Sequence, residues 1–265
     1  MTKLLNKVVA VTGAGSGIGR ALAERLAALG AHLALSDIDG TTLRETASLI
    51  SGVNVSTHVV DVRSRDAVER YAADARAKHG GVDVIVNNAG RTVFGSLEEV
   101  PYEDFAMVLD INMWGVIYGT RAFLPLLRER PEGHVVNISS INAMVPFAMN
   151  GPYNMSKYAV LGFSETLDLE LRGQPIRVTC VHPGGIQTNI VHNGKNMTKA
   201  QADAFGRVAR TTAPAAAAAI ARAIEKNKRQ IFIGIDAKTM ALFKRVAPRT
   251  TLRATARFME KAALT

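Results

Sequence analysis

Short apolar runs rich in Val and Ile recur along the chain at 8–11, 33–35, 55–60, 82–86, 135–138, 176–181 and 231–235. Between them lie stretches with the spacing of a helix, at about 19–29, 64–78, 101–129, 154–171 and 213–227. Gly30 stands where a helix commonly closes, and Pro101 and Pro214 suit first-turn positions. Strands that are apolar throughout, rather than alternating, are covered on both faces, and helices between them indicate a parallel sheet. The pattern predicts one doubly wound α/β domain of about seven parallel strands, with ligands across their carboxyl ends. No linker-like stretch or repeat divides it, and the alanines at 215–219 read as good helix formers.

Composition adds limits. At 265 residues, 48% hydrophobic and 21% charged, the chain can bury a substantial core. No apolar run has the roughly 18–20 residues that a membrane-spanning helix requires. The first strand follows the N-terminus too soon for a secretory leader. Cys180 is the single cysteine, so no internal disulfide forms, and its strand-like surroundings predict inert core. A cytoplasmic location is expected. The formal charge of +9 is uneven: residues 195–265 carry 15 Lys/Arg against 4 Asp/Glu, whereas residues 1–194 carry 17 against 19. The basic character belongs to the C-terminal part.

The first strand runs straight into Thr12-Gly13-Ala14-Gly15-Ser16-Gly17-Ile18-Gly19-Arg20, and a helix follows. Glycines there let backbone approach a pyrophosphate, and the helix N-terminus supplies free N–H groups and a positive dipole end. The spacing is G-x-x-x-G-x-G rather than G-x-G-x-x-G. The second strand ends at Asp37, 18 residues past Gly19, where an acidic side chain binds a ribose 2′-hydroxyl and repels an additional phosphate. Neither Ser16 nor Ile38 offers a cation for such a phosphate. NAD is therefore the expected cofactor, ahead of NADP.

Farther on, Tyr153-x-x-x-Lys157 opens a helical stretch, and residues four apart share a helix face. An unperturbed phenol, with a pKa near 10, is a poor base at neutral pH. A lysine cation and the positively charged ring of NAD⁺ favour its phenolate. Tyr153 is then a candidate general acid/base for a hydroxyl whose carbon gives up hydride.

These motifs, with Asp61-Val62, Asn87-Asn88-Ala89-Gly90, Asn112, Ser139-Ser140 and Pro183-Gly184, occur in one order and spacing. Together they resemble the short-chain dehydrogenase/reductase family over about residues 6–235. The resemblance implies that Ser140 hydrogen-bonds the substrate oxygen, and that Lys157 also holds the nicotinamide ribose. Asn112 would bind a water in a proton relay from Lys157. Gly13, Ser16, Gly17, Ile18, Gly19, Asp37, Asp61, Val62, Asn88, Ala89, Gly90, Tyr153, Lys157, Pro183, Gly184, Ile186 and Thr188 would bind cofactor. Met155 and Ala143 depart from the family pattern and are expected to alter packing near the site. A homodimer or homotetramer is implied, built partly on the helices near 101–129 and 154–171.

The six histidines, at 32, 58, 79, 134, 182 and 192, have no metal-ligand spacing, so no metal is expected. The apolar stretch 144–149, with Phe94, Ile190, Val191 and Phe205, points to a lipophilic secondary alcohol or its ketone. Two alternatives stay open: an NADP-dependent 3-ketoacyl-type reductase and a catalytically idle dinucleotide-binding scaffold. Substrate identity, direction and stereochemistry are open as well. Residues 238–265 are expected to form a basic amphipathic extension to a dinucleotide-binding domain at 1–237. Its cations interleave with Leu242, Phe243, Val246, Leu252, Phe258 and Leu264, and Pro248 divides it. Such a segment packs across a subunit interface, the favoured reading, or lies on an anionic membrane surface. Nucleic acid is not an expected partner.

Overall fold

In the computed structural model, which describes residues 3–188, 190 and 194–261, the seven apolar runs become strands. They are β1 (Val8–Thr12), β2 (His32–Asp37), β3 (Val55–Val59), β4 (Val84–Asn87), β5 (Gly133–Ile138) and β6 (Ile176–Pro183). A two-residue pair, β7 (Ile186–Gln187) and β8 (Thr211–Thr212), precedes the last, β9 (Gln230–Ile233). The large sheet has the order β3-β2-β1-β4-β5-β6-β9, with every pairing parallel. Its strand order reverses between β1 and β4, which opens a crevice at their carboxyl ends.

Alternate residues of each strand feed opposite layers. Val9 and Val11 of β1 join Leu33, Leu35 and Val136 beneath Leu22 and Leu26 of α1 (Gly17–Ala28). Ile220 and Ile224 of the later helix spanning Ala213–Glu225 complete that layer. Val8 and Ala10 instead join Ile85, Val135 and Val178 against Tyr71, Phe123 and Leu127. Each fully buried Val, Leu or Phe contributes about 1.5–3 kcal/mol, which is why the apolar runs dictate the sheet.

The remaining helices are α2 (Gly40–Ser48), α3 (Arg65–His79), α4 (Tyr102–Leu109), α5 (Gly115–Arg128), α6 (Gly151–Glu170), α7 (Lys199–Val208), α8 (Ala213–Glu225), α9 (Ile235–Val246) and α10 (Pro248–Lys261). Three boundaries differ from expectation. The 101–129 stretch is broken between α4 and α5 by a π-turn, Asp110–Trp114, which reorients Asn112. The predicted 154–171 helix starts at Gly151, so Tyr153 lies in its first turn. The final apolar run splits because Gly234, at φ +95°, ends β9 and leaves Ile235 to open α9.

Helix α9 begins ahead of the expected division at 237/238, which falls within its first turn. Helices α9 and α10 pack together. In α10, Thr251, Thr255 and Met259 are buried at four-residue spacing, with Met259 against Ala204, Phe147 and Phe205. Among the described residues no helix is long and apolar enough to cross a membrane.

Candidate active site

Strand β1 delivers the glycine turn to the mouth of the crevice. The Thr12 hydroxyl oxygen accepts the N–H groups of Asn88 (3.0 Å) and Ala89 (3.1 Å). The Asn88 amide donates to the carbonyls of Thr12 (2.9 Å) and Gly13 (3.0 Å). The ends of β1 and β4 are thus stapled together. Gly13 has φ +65°, and a Cβ there would sit 2.8 Å from the Cα of Ala89. At Gly19 a Cβ would lie 2.0 Å from the Gly13 carbonyl oxygen, so α1 can pack directly on the turn only as glycine. Ser16, the N-cap of α1, makes no side-chain capping bond, which leaves the first-turn N–H groups to an anionic ligand.

Gly15, outside the spacing pattern read from the sequence, is equally constrained. Its N–H donates to Asp37 Oδ2 at 2.8 Å. A Cβ there would be 2.5 Å from the Thr42 hydroxyl. The Arg20 guanidinium clamps the same turn, donating to the Gly15 carbonyl at 2.7 Å and to Thr46 at 3.0 Å, and pairing with Glu45 at 3.0 Å. Asp37 is thereby set in the cavity wall, beside exposed Ile38. Asp61 and Val62 also line the wall. The Asp61 carboxylate is held by Arg63 (2.6 and 2.9 Å), whose hydrogen bonds keep it below the usual carboxylate range. Arg63 faces the same cavity, and no spacing signal had singled it out.

Tyr153 and Lys157 share the inward side of α6. Lys157 is buried, its Nζ donating to the Ile138 carbonyl at 2.9 Å and lying 5.3 Å from the Tyr153 ring centroid. Burial pulls the Lys157 amine down to about 8. Burial pushes the Tyr153 phenol up to about 12, with the neighbouring Ser140 side chain acting against it. At neutral pH the phenol is therefore a proton donor, and the amine is close to its own titration. Cys180 is buried, with its thiol pushed up to about 11 by burial, in keeping with inert core.

Of the two serines, the structure brings Ser140 to the phenol. Ser139 is buried and donates to the backbone carbonyl of Lys157 at 2.9 Å. The Ser140 hydroxyl donates to Asn142 Oδ1 at 3.1 Å and accepts the Asn142 N–H at 3.1 Å. The Asn142 amide in turn donates to Asn154 Oδ1 at 2.8 Å, and the Asn154 amide donates to the Phe147 carbonyl at 2.7 Å. This chain fixes the serine and the 144–149 segment together. His182 has Nδ1 at 3.0 Å from the Ser140 carbonyl and stacks on Phe232. Buried there, it supports the serine turn from behind.

Asn112 lies beneath the cavity rather than in its wall. Its amide donates to the Arg91 carbonyl (2.9 Å) and to Ser156 (3.0 Å), and its Oδ1 accepts the Arg91 N–H (2.8 Å). Both of its N–H donors thus go to protein groups, and the residue ties the loop after β4 to α6. Gly90 lies between it and Lys157: a Cβ there would make ordinary contacts, 3.4 Å from Asn112 Oδ1 and 3.7 Å from Lys157 Nζ.

All these elements surround one cavity of about 1240 Å³. Gly13, Ser16, Gly17, Ile18, Asp37, Asn88, Ala89 and Gly90 line it, as do Ser140, Tyr153, Lys157, Pro183, Gly184, Ile186 and Thr188. Gly19 and Asn112 alone among the expected site residues stand behind the wall. The residues present fit a dinucleotide: a cradle that a Cβ would fill, unclaimed helix N–H groups, and an acid at the end of β2. Gly184 is itself constrained, because the Asp236 carboxylate takes the space of a Cβ and accepts the Gly185 N–H at 2.6 Å. Asp236 thus joins the start of α9 to the Gly184–Gly185 part of the cavity wall.

The apolar part of the wall is built differently from expectation. Phe94, Phe147, Ala148, Ile190 and Phe205 do face the cavity, whereas Val145 is in the core. Val191 and Leu264 lie outside the described residues. Met155 is exposed rather than packed near the site, and Ala143 is buried. The unforeseen wall is the C-terminal helix pair, with Met240, Phe243, Ala254, Phe258 and Met259. The Thr255 hydroxyl bonds the Thr251 carbonyl and the Thr251 hydroxyl the carbonyl of Ala247, just ahead of the helix, both at 2.9 Å, so α10 presents little polarity there. Among the described residues no cluster could hold a metal ion.

Known proteins resemble this chain in sequence and fold. A family model described as short chain dehydrogenase matches residues 7–199. SadH of Mycobacterium tuberculosis is 36% identical over 255 residues, 93% of this chain and 92% of its own. Dehydrogenase/reductase SDR family member 4 of Oryctolagus cuniculus is 41% identical over 189 residues, 70% of this chain and 73% of its own. A short chain dehydrogenase/reductase from Burkholderia phymatum, solved in complex with NAD, superposes with a TM-score of 0.88 at 29% identity, covering 94% of this chain and 96% of its own.

Proposed function

The chain belongs to the short-chain dehydrogenase/reductase family, and from that premise we propose that it is an NAD-dependent oxidoreductase interconverting a lipophilic secondary alcohol and its ketone. The observation that carries this reading is the convergence of Ser140, Tyr153 and buried Lys157 on a cavity that also holds the glycine turn and Asp37. A bound nicotinamide dinucleotide supplies the hydride acceptor or donor. In the reducing direction, the Tyr153 hydroxyl gives its proton to the substrate oxygen as the carbonyl carbon gains hydride, and in the oxidising direction the phenolate takes that proton back. Lys157, charged, favours the phenolate that this requires. Ser140 holds the substrate oxygen and stabilises charge developing on it. Asn112 positions the Lys157 side of the site through Arg91 and Ser156.

The Asp37 carboxylate is placed to accept hydrogen bonds from the adenosine ribose and to repel a 2′-phosphate. Arg63, a cation in the cavity wall, is engaged by Asp61, and Arg20, behind the glycine turn, is engaged by the Gly15 carbonyl and Glu45. Oligomerisation through α5 and α6 belongs to the same proposal: Trp114 stacks on Tyr118 at 5.6 Å, and Trp114, Met155 and Tyr158 are exposed. A homodimer or homotetramer would cover these side chains.

Secondary alcohols of increasing apolar size, assayed with NAD⁺ and NADP⁺ by nicotinamide absorbance, test the function. NAD⁺ should be preferred by about 10–100-fold in kcat/KM, the size of one poorly placed like-charge contact. Efficiency should rise by up to about fourfold per added methylene until the cavity is filled. Asp37→Ala combined with Ile38→Arg should narrow or reverse the cofactor ratio. A preference for NADP⁺ in the unaltered protein would favour the 3-ketoacyl-type reductase, and absence of turnover on every alcohol and ketone would favour the idle scaffold.

A further inference from the structure

The C-terminal helix pair has an outer surface that the proposed reaction does not use. On α9, Ile235, Leu242 and Val246 fall on one stripe with Phe243 at its edge, and they are 70%, 61%, 75% and 61% exposed. Phe243 also lines the cavity, so this apolar stripe borders the opening of the substrate chamber. On α10, Arg249, Arg253 and Arg257 are exposed at four-residue spacing, on the side away from buried Thr251, Thr255 and Met259. Between Asp236 and Glu260 the chain has six cations, Lys238, Lys244, Arg245, Arg249, Arg253 and Arg257, and no acidic residue. None of the six takes part in an ion pair among the described residues.

Exposed apolar side chains beside unpaired cations call for a covering surface that is both oily and anionic. A second copy docked symmetrically would bring the same patch against itself. Six cations would then face six others with only Glu260, exposed on the arginine side of α10, to offset them in each copy, which opposes such pairing. A bilayer containing acidic lipids has the complementary chemistry: apolar side chains enter the headgroup boundary while cations engage lipid phosphates. We propose that the α9–α10 face docks on an anionic membrane surface, with the opening of the substrate cavity at the level of the lipids. This goes beyond the proposed reaction and does not depend on it.

Sedimentation of the purified full-length protein with vesicles tests the docking. Vesicles of phosphatidylcholine alone are compared with vesicles containing phosphatidylglycerol, at low and high salt. Co-sedimentation is expected with the acidic vesicles at low salt, weakening as salt screens the surface. The triple variant Arg249→Gln, Arg253→Gln, Arg257→Gln should partition about 100-fold more weakly. Leu242→Ser with Val246→Ser should also reduce binding, while thermal melting shows that both variants remain folded. Recovery of the unaltered protein in the supernatant with acidic vesicles at low salt would overturn the proposal. So would equal sedimentation of the triple variant, or loss of self-association as the only consequence of Leu242→Ser with Val246→Ser.

Discussion

Tyr153→Phe is expected to lower kcat/KM by about 10²–10⁴-fold, the usual contribution of a positioned proton donor, while dinucleotide affinity changes little. Among the described residues Tyr153 is the one tyrosine lining the cavity, and phenylalanine preserves the ring that lies 5.3 Å from the Lys157 amine. Its pH dependence should reveal the same group. With the phenol held near 12 by burial in the protein alone, the phenolate fraction at neutral pH is small and grows with pH. Alcohol oxidation should therefore accelerate between about pH 7 and 10, with ketone reduction flat or declining over the same range. Tyr153→Phe should abolish the rising limb. Steady-state rates in both directions, with cofactor titration by fluorescence, check this. A variant retaining full turnover with the rising limb intact would remove Tyr153 from the chemistry.

Lys157→Met should give the second large effect, in opposite senses for activity and stability. Turnover should fall by about 10²-fold or more, because the cation that favours the phenolate is gone. Stability should rise near neutral pH. Burial depresses the Lys157 amine from 10.5 to about 8. Between those values the unfolded chain binds the proton that the native chain has released, so stability increases with pH across that interval. Below about pH 8 both states are charged and the burial cost is present in full, on the order of 3 kcal/mol from the size of the shift. A methionine of similar length removes that cost. The variant should melt several degrees higher at pH 7, and the advantage should shrink towards pH 10.5. A lower melting temperature at pH 7 would mean that the bond to the Ile138 carbonyl outweighs desolvation.

Much of the site was legible because its signals are local. The glycine turn must follow a strand and precede a helix, and Tyr153 and Lys157 share a face because they are four residues apart. Asp37 falls at a strand end by simple counting. Other residues carried no such mark. Gly15, Arg20 and Thr46 form one clamp across two βα units, and Asn142 and Asn154 are ordinary polar residues until a 3₁₀ turn and a helix bring their amides within 2.8 Å. Asn112 could be named from its motif. Its commitment to Arg91 and Ser156 depends on a π-turn that a plain helical period conceals. The C-terminal helices were the largest surprise, because amphipathicity reports that a face is apolar and not what covers it.

By itself, the sequence determined the parallel sheet, its strand positions, the glycine turn and the shared face of Tyr153 and Lys157. Each is set by burial period, backbone freedom or spacing within a single segment. Only the tertiary structure decided which loops meet: Thr12 with Asn88, Asp236 with Gly185, and α10 with Phe147 and Phe205. The physical reason is that a parallel sheet gathers the carboxyl ends of distant strands at one edge. Groups separated by 76 or 51 residues in the chain become hydrogen-bond partners there, and no local pattern encodes the pairing.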